Sequence, residues 1–232
     1  MDLKYSFVVN GEQISIGLVF DGSGGAPHSE TGVWMAKTVT PKIFSQLFAT
    51  AVNQERLTSK PGLIARDFYP AMQQAIRKWA RALQITKVAE FDQFVFDCCM
   101  FTIVGFIITP RHLVTFRAGD GVILINNKLQ VFATPIGQNT PSYIGHTLIS
   151  EKNPRRCSLE QIGFDIKQYQ RTSAGRVLVA TDGLAAATQL LSTAVWQCKT
   201  DQDVQSELNI LHSLQATSDD MALVAAQWGI QT

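Results

Sequence analysis

Four places in this sequence set an aspartate beside glycines or at the edge of an apolar run. Asp21 closes the run over residues 14–20 and is followed by Gly22, Ser23, Gly24 and Gly25. Asp120 stands between Gly119 and Gly121, Asp182 follows Val179, Ala180 and Thr181 and precedes Gly183, and Asp219 with Asp220 comes just ahead of Met221, Ala222, Leu223 and Val224. A strand that ends in a carboxylate and then turns through glycine places an acid at the rim of a core. One such acid means little, because Asp-Gly is ordinary turn chemistry. Four in one chain suggest carboxylates converging on hard cations. If the strands lie in adjacent sheets, Asp21, Asp182 and Asp219 meet at one edge, where unpaired carboxylates repel and a bound cation is the natural compensation. An all-oxygen donor set with no His or Cys cluster points to Mg²⁺ or Mn²⁺ and away from zinc. Two such ions about 3.5–4 Å apart would activate a water and clamp a phosphate for in-line attack.

Each of these residues also has an ordinary reading. Asp120 fits a hairpin turn, Asp21 and Asp182 fit helix caps, and Asp220 fits a turn. His28, soon after the first glycine turn, could donate a proton to a leaving alkoxide, or be a solvated residue at a helix start. Arg155 and Arg156 could meet phosphopeptide charge, or be a basic pair in a polar surface loop. His112, His146 and His212 are scattered and read as structural.

The elements that would carry these groups follow from periodicity. Residues 3–9 and 13–20 read as a hairpin turning at Asn10-Gly11. Ser29 then suits a helix cap with Glu30 in the first turn. Val33, Ala36, Thr40, Ile43 and Leu47 continue at helical spacing, with Pro41 expected to kink or divide that helix. Ile64, Phe68, Met72, Ile76, Trp79 and Leu83 mark a second amphipathic helix, core by default. From Phe94 the period changes, and residues 100–109, 112–118, 122–125 and 129–132 read as an antiparallel meander. Residues 133–160 are rich in Pro, Asn, Gly and Ser and read as a surface excursion with a short β-like piece at Thr147, Leu148 and Ile149. Residues 176–180 read as a strand, 184–198 and 204–214 as helices, and 221–228 as a closing strand. Runs of strands alternating with helix pairs favour α+β. The expected architecture is an antiparallel β-sandwich flanked on each face by a helix pair, as a single domain over residues 1–232.

The totals narrow the function classes. The chain has 232 residues, 46% hydrophobic and 17% charged, which is a globular composition with enough length for a substantial core. A formal net charge of +1 gives no general reason to expect nucleic acid or an anionic membrane as partner. Cys98, Cys99, Cys157 and Cys198 form no C-x-x-C pair, so a reduced, cytoplasmic setting is expected. The first residues lack the apolar core of a signal peptide, and the most apolar run, 94–109, is too short to span a bilayer.

The fragments LVFDGSGG, FTIVGFII followed by FRAGDGVILIN, VLVATDGL and SDDMALVAAQW occur in an order and spacing that resemble the type 2C metal-dependent serine/threonine protein phosphatases over nearly the whole chain. The run DGSGGAPHSETG is closer to a bacterial branch of that family. The resemblance implies that Asp21 bridges two metals, that Gly22 offers its backbone carbonyl to one, and that Asp182 and Asp219 complete the second. It implies that Asp120 helps hold a third ion, and that Asp2 matches the acid of the family's early Gln/Glu-Asp element. Relatives carry a strand before that acid, with a basic residue that meets substrate phosphate; this chain starts after that point. Ser23 stands where many relatives place a histidine, and Ala222 where a threonine or serine is usual. The implied function is a Mn²⁺- or Mg²⁺-dependent phosphatase that hydrolyses phosphoserine and phosphothreonine in proteins by a metal-activated water, with a Ser/Thr kinase as its counterpart. The departures keep a second expectation in view, a weak or inactive phosphatase-like domain that acts as a binding or regulatory module. A hydrolase of small phosphoesters is a third.

Overall fold

The computed structural model describes residues 1–132, 142–153, 156, 163–185, 187, 193–213 and 221–228. Its frame is set by alternation along one strand. In β2 (Glu12–Gly22), Ile14, Ile16, Leu18 and Phe20 point to one core while Val19 points to another, as the two-residue period of a strand requires. β2 pairs antiparallel with β1 (Asp2–Val9), through the expected turn at Asn10 and Gly11, and on its other side with β3 (Phe101–Ile108). β4 (His112–Ala118) and β7 (Asp165–Gln170) complete a five-stranded sheet in the order β1-β2-β3-β4-β7. A second sheet of four strands runs β6-β5-β8-β9, from β5 (Gly121–Ile125), β6 (Lys128–Phe132), β8 (Arg176–Ala180) and β9 (Leu223–Gln227). All strand pairs are antiparallel.

The inner faces of the two sheets meet through Val19, Val104, Phe106, Val177, Val179 and Val224. The outer face of the five-stranded sheet is covered by α1 (Ser29–Phe48) and α3 (Gly62–Ala82), which bury Phe44, Phe68, Met72 and Ile76. Fully burying a side chain of this size contributes roughly 1.5–3 kcal/mol, and that burial offsets the backbone donors lost at Pro41 and Pro70. Neither proline divides its helix. The outer face of the four-stranded sheet is covered by α5 (Asp201–Ser213) through Leu208 and Leu211. The α-β-β-α layering is the expected one.

Several local expectations need correction. Two further helices, α2 (Ala51–Ser59) and α4 (Val88–Cys98), lie on the α1 and α3 side. α4 takes up the first residues of the apolar run 94–109, with Phe91, Phe94, Val95 and Cys98 recurring at helical spacing against the core. The four strands from 101 to 132 are not one meander: β4 and β5 belong to different sheets, and the chain crosses between them at Gly119, Asp120 and Gly121. That crossing has φ of 93° at Gly119 and 135° at Gly121, backbone that glycine adopts without strain. Residues 144–147 form a 3₁₀ turn rather than a β-like piece, and β7 comes from a stretch not read as a strand. Much of the helix expected over 184–198 lies outside the described residues; residues 193–194 are helical, and the 3₁₀ turns Asp182–Leu184 and Val195–Gln197 flank the stretch. Among the described residues no helix is long and apolar enough to cross a membrane.

Candidate metal centre

Strand alternation decides where Asp21 sits. It lies two residues beyond Val19 on β2 and therefore shares the inter-sheet face, at the strand's end and opposite Thr102 of β3. Gly119 packs onto that threonine: a Cβ on Gly119 would come within 2.8 Å of the Thr102 Cβ. Asp120 follows. Gly121 lies against the Ala180 carbonyl, which a Cβ would approach to 2.9 Å, and Asp182 comes two residues after Ala180. Three of the four predicted acids thus converge on one end of the sandwich.

The group that registers their convergence is Tyr143, which is 8% exposed and heads the 3₁₀ turn Ile144–Thr147. Burial pushes its phenol up, a hydrogen bond with the Ser23 side chain works the other way, and the charges of Asp120, Asp182 and Asp21 push it up again. The phenol accordingly stays protonated, within the field of the three acids. Bound cations would cancel the field of those acids. Sequence reasoning missed Tyr143, since a tyrosine in a polar stretch carries no periodic signal.

The turn after Asp21 is tied on both sides. The Ser23 N–H donates to the Met100 carbonyl at 2.9 Å, and the Ser29 hydroxyl donates to the Ser23 carbonyl at 3.0 Å. Ser29 is therefore not the helix cap expected of it; His28 takes the N-cap position, exposed, with no side-chain capping bond. Gly22 is fixed by close approach, because a Cβ there would lie 2.7 Å from the Ser29 hydroxyl oxygen. At the neighbouring strand exit, the Thr181 N–H donates to the Ala222 carbonyl at 3.0 Å and the Ala222 N–H to the Thr181 hydroxyl at 3.1 Å. This joins the lead-in of β9 to the residue before Asp182. Ala222 itself is buried between the sheets.

Asp2 is exposed on β1 and pairs with Val19, which places it on the same face as Asp21 in the diagonal position. Diagonal neighbours across a strand pair lie roughly 7–8 Å apart. Asp219, Asp220 and Arg155 lie outside the described residues. Arg156 is described, away from the acids, with an ion pair to Glu151 at 3.6 Å. Arg117 supports the crossing turn: it donates to the Gly119 carbonyl at 2.7 Å, pairs with Asp165 at 3.3 Å, and stacks over Phe132 at 3.9 Å.

Carboxylates and a backbone carbonyl are the donors a hard divalent cation takes, so the donor set fits such an ion in kind. Among the described residues no three His, Cys, Asp or Glu side chains stand close enough together to enclose one. Cys98, Cys99 and Cys198 are free thiols.

Comparison with known proteins supplies the family. The sequence model of the Protein phosphatase 2C family matches residues 3–220. No curated protein matches the sequence significantly. Among solved structures, a bacterial serine phosphatase aligns with a TM-score of 0.64 at 12% identity, covering 100% of this chain and 92% of that one. The serine/threonine phosphatase Stp1 from Staphylococcus aureus aligns at 0.58 and 14% identity, over 98% and 89%. The catalytic domain of the serine threonine protein phosphatase PstP, in complex with two manganese ions, aligns at 0.51 and 12% identity, over 98% and 91%. Identities this low establish a shared fold, whereas the sequence match spans most of the length, and on that ground the chain belongs to the protein phosphatase 2C family.

Proposed function

We propose that this chain is a phosphoprotein phosphatase that depends on Mn²⁺ or Mg²⁺ and removes phosphate from serine and threonine, with residues 1–232 acting as one phosphatase-like domain. The observation that carries the proposal is that Asp21, Asp120 and Asp182 leave β2, the sheet crossing and β8 at one end of the sandwich in a chain of this family. Asp21 and Asp182, with Asp219, would hold two ions, and the Gly22 carbonyl would serve one of them. Asp120 serves a third, and Asp2 contributes from the neighbouring strand. Divalent ions held there would supply charge neutralisation for the phosphoryl group and an activated water as nucleophile; the PstP structure, with its two manganese ions, supports that number.

The protein's own part is to position. Gly119 and Gly121 let the backbone at Asp120 cross from one sheet to the other, and Thr181 sets the exit of β8 against Ala222. Tyr143 and Ser23 hold the turn that follows Asp21 and offer hydroxyl donors beside it. His28 stands exposed at the start of α1, available as a proton donor to the leaving alkoxide. The free thiols support a reducing, cytoplasmic setting, and a Ser/Thr kinase acting on the same proteins is the implied counterpart.

The test is hydrolysis of an aryl phosphate and a phosphothreonine peptide by the purified chain with Mn²⁺. Turnover should require the metal and vanish in Asp21→Ala and Asp182→Ala. Turnover in the presence of chelator, or full activity in both variants, would overturn the proposal. A folded protein that neither binds Mn²⁺ nor turns over would instead mark a binding module, the reading that Ser23 and Ala222 favour.

A further inference from the structure

On the far side of α3 from α1, a cleft of roughly 500 Å³ lies between the end of α3, the start of α4 and residues 147–151. It shares Val88, Asp92 and Ser150 with a second cleft of about 360 Å³ further along α4. The two form one groove. Its rim is cationic: Arg77 and Arg81, one turn apart on α3, with Lys87 and Arg156 in the first cleft and Lys152 in the second. Its apolar lining includes Ile85 and Phe91, both half-buried, and Val88, which is exposed.

The acids nearby do not balance that rim. Asp92 is 5% exposed, and its oxygens are taken by Ser150 and Asn153. Glu90 pairs with Lys87 at 2.8 Å, and Glu151 with Arg156 at 3.6 Å, both at the surface. Exposed pairs of this kind hold weakly and exchange readily. Arg77 and Arg81 have no carboxylate partner among the described residues; Arg77 is held over the Phe91 ring at 5.2 Å. Two guanidinium forks on one helix face, beside an apolar lining, match carboxylates on a peptide that also carries apolar side chains.

We propose that this groove docks an acidic segment of the phosphoprotein substrate, with carboxylates on Arg77 and Arg81 and an apolar side chain over Ile85 and Val88. The proposal rests on the phosphatase reading for its setting. The short segment that begins at Tyr143 also lines the groove with Thr147, Leu148 and Ile149, so the groove and the candidate centre share one stretch of chain. Docking adds affinity without touching the reacting atoms.

The experiment uses Arg77→Glu with Arg81→Glu, both exposed positions, and Arg81→Gln as a milder second variant. Fluorescence anisotropy of a dephosphorylated, Asp- and Glu-rich peptide is read first, since it needs no turnover. The wild type should bind it, more weakly as salt rises, and the double variant at least about tenfold more weakly. In kinetics, the double variant should raise KM for an acid-flanked phosphothreonine peptide by a similar factor with kcat unchanged. Aryl phosphate and a neutral-flanked phosphopeptide should be handled as by the wild type. Equal peptide binding by wild type and double variant, no binding by the wild type, or tighter binding of a single-stranded oligonucleotide would each overturn the docking proposal. Loss of aryl phosphate turnover in the wild type would overturn the phosphatase reading alone, because the anisotropy arm would still stand.

Discussion

The carboxylate of Asp92 on α4 accepts two hydrogen bonds from Ser150, one from its backbone N–H at 2.9 Å and one from its hydroxyl at 2.6 Å. Asn153 adds a third at 3.0 Å. This link fastens the segment that begins at Tyr143 to the helical layer, and so connects α4 to the geometry of the candidate centre. Asp92→Ala would leave the Ser150 and Asn153 donors without their acceptor. The expected cost is about 2–4 kcal/mol, or a fall in Tm on the order of 5–10 °C, measured by thermal unfolding. Asp92→Asn keeps the shape and should cost less.

The same carboxyl gives a pH dependence. Burial pushes Asp92 up, but the hydrogen bonds from Ser150 and Asn153 outweigh it and hold the group below the usual carboxylate value. A lowered folded value means that the unfolded chain takes up the proton first as acid is added. The stabilisation is therefore complete above the ordinary Asp value of about 3.9 and is lost as pH falls through the lowered folded value. Urea unfolding between about pH 5 and pH 2 should show a shallower loss of stability in Asp92→Asn than in the wild type. Parallel slopes would mean that Asp92 carries no such linkage.

At the sheet crossing, Gly119 combines a φ of 93° with close packing on Thr102, whose Cγ2 a Cβ would approach to 2.4 Å. Gly119→Ala meets both problems at once and should cost about 2–5 kcal/mol. Gly24 has open space around the place its Cβ would take. Gly24→Ala should therefore leave the unfolding midpoint within about 0.5 kcal/mol of the wild type. Equal effects at the two positions would remove the reason given for glycine at the crossing.

Much of this was legible in the sequence, and what was not has physical causes. The strands ending at Asp21 and Asp182 announced themselves because an apolar run stops at an acid and a glycine. The sheet change at Asp120 did not, since β3, β4 and β5 are buried almost throughout, and a strand apolar on both faces does not reveal its partner. α4 was hidden because a short apolar aromatic run suits helix and strand equally. β7 was hidden by its polarity: as an edge strand it alternates weakly, and what identifies it is its pairing with β4. At the candidate centre the acids carried a motif, whereas Tyr143 is linked to them only through Ser23 and three-dimensional proximity.

If Asp21, Asp120 and Asp182 crowd one site, neutralising one relieves repulsion in the metal-free protein and weakens cation binding in the loaded one. In chelator, Asp182→Asn should unfold at the same or a higher temperature than the wild type. Calorimetric titration with Mn²⁺ should show an affinity reduced by at least about tenfold. A variant that is less stable in chelator and binds Mn²⁺ as before would separate Asp182 from the metal centre.

Tyr143→Phe isolates the hydroxyl from the ring. The ring packs beside His146, with centroids 5.4 Å apart, and the substitution keeps that packing, so thermal stability should fall by no more than about 1 kcal/mol. The hydroxyl hydrogen-bonds Ser23 and lies in the field of the three acids without being a metal donor in the proposed set. Its loss frees the turn after Asp21, where a small misplacement of reacting groups is costly in rate. With Mn²⁺ saturating, kcat on aryl phosphate should fall by roughly 10- to 100-fold, while the Mn²⁺ titration stays as in the wild type. Ser23→Ala should reproduce most of the effect, and the double variant should be little worse than either single one, because both remove the same bond. A fall in Mn²⁺ affinity that matched the fall in kcat would place Tyr143 in the metal site itself, and strictly additive losses would show that Tyr143 and Ser23 act apart.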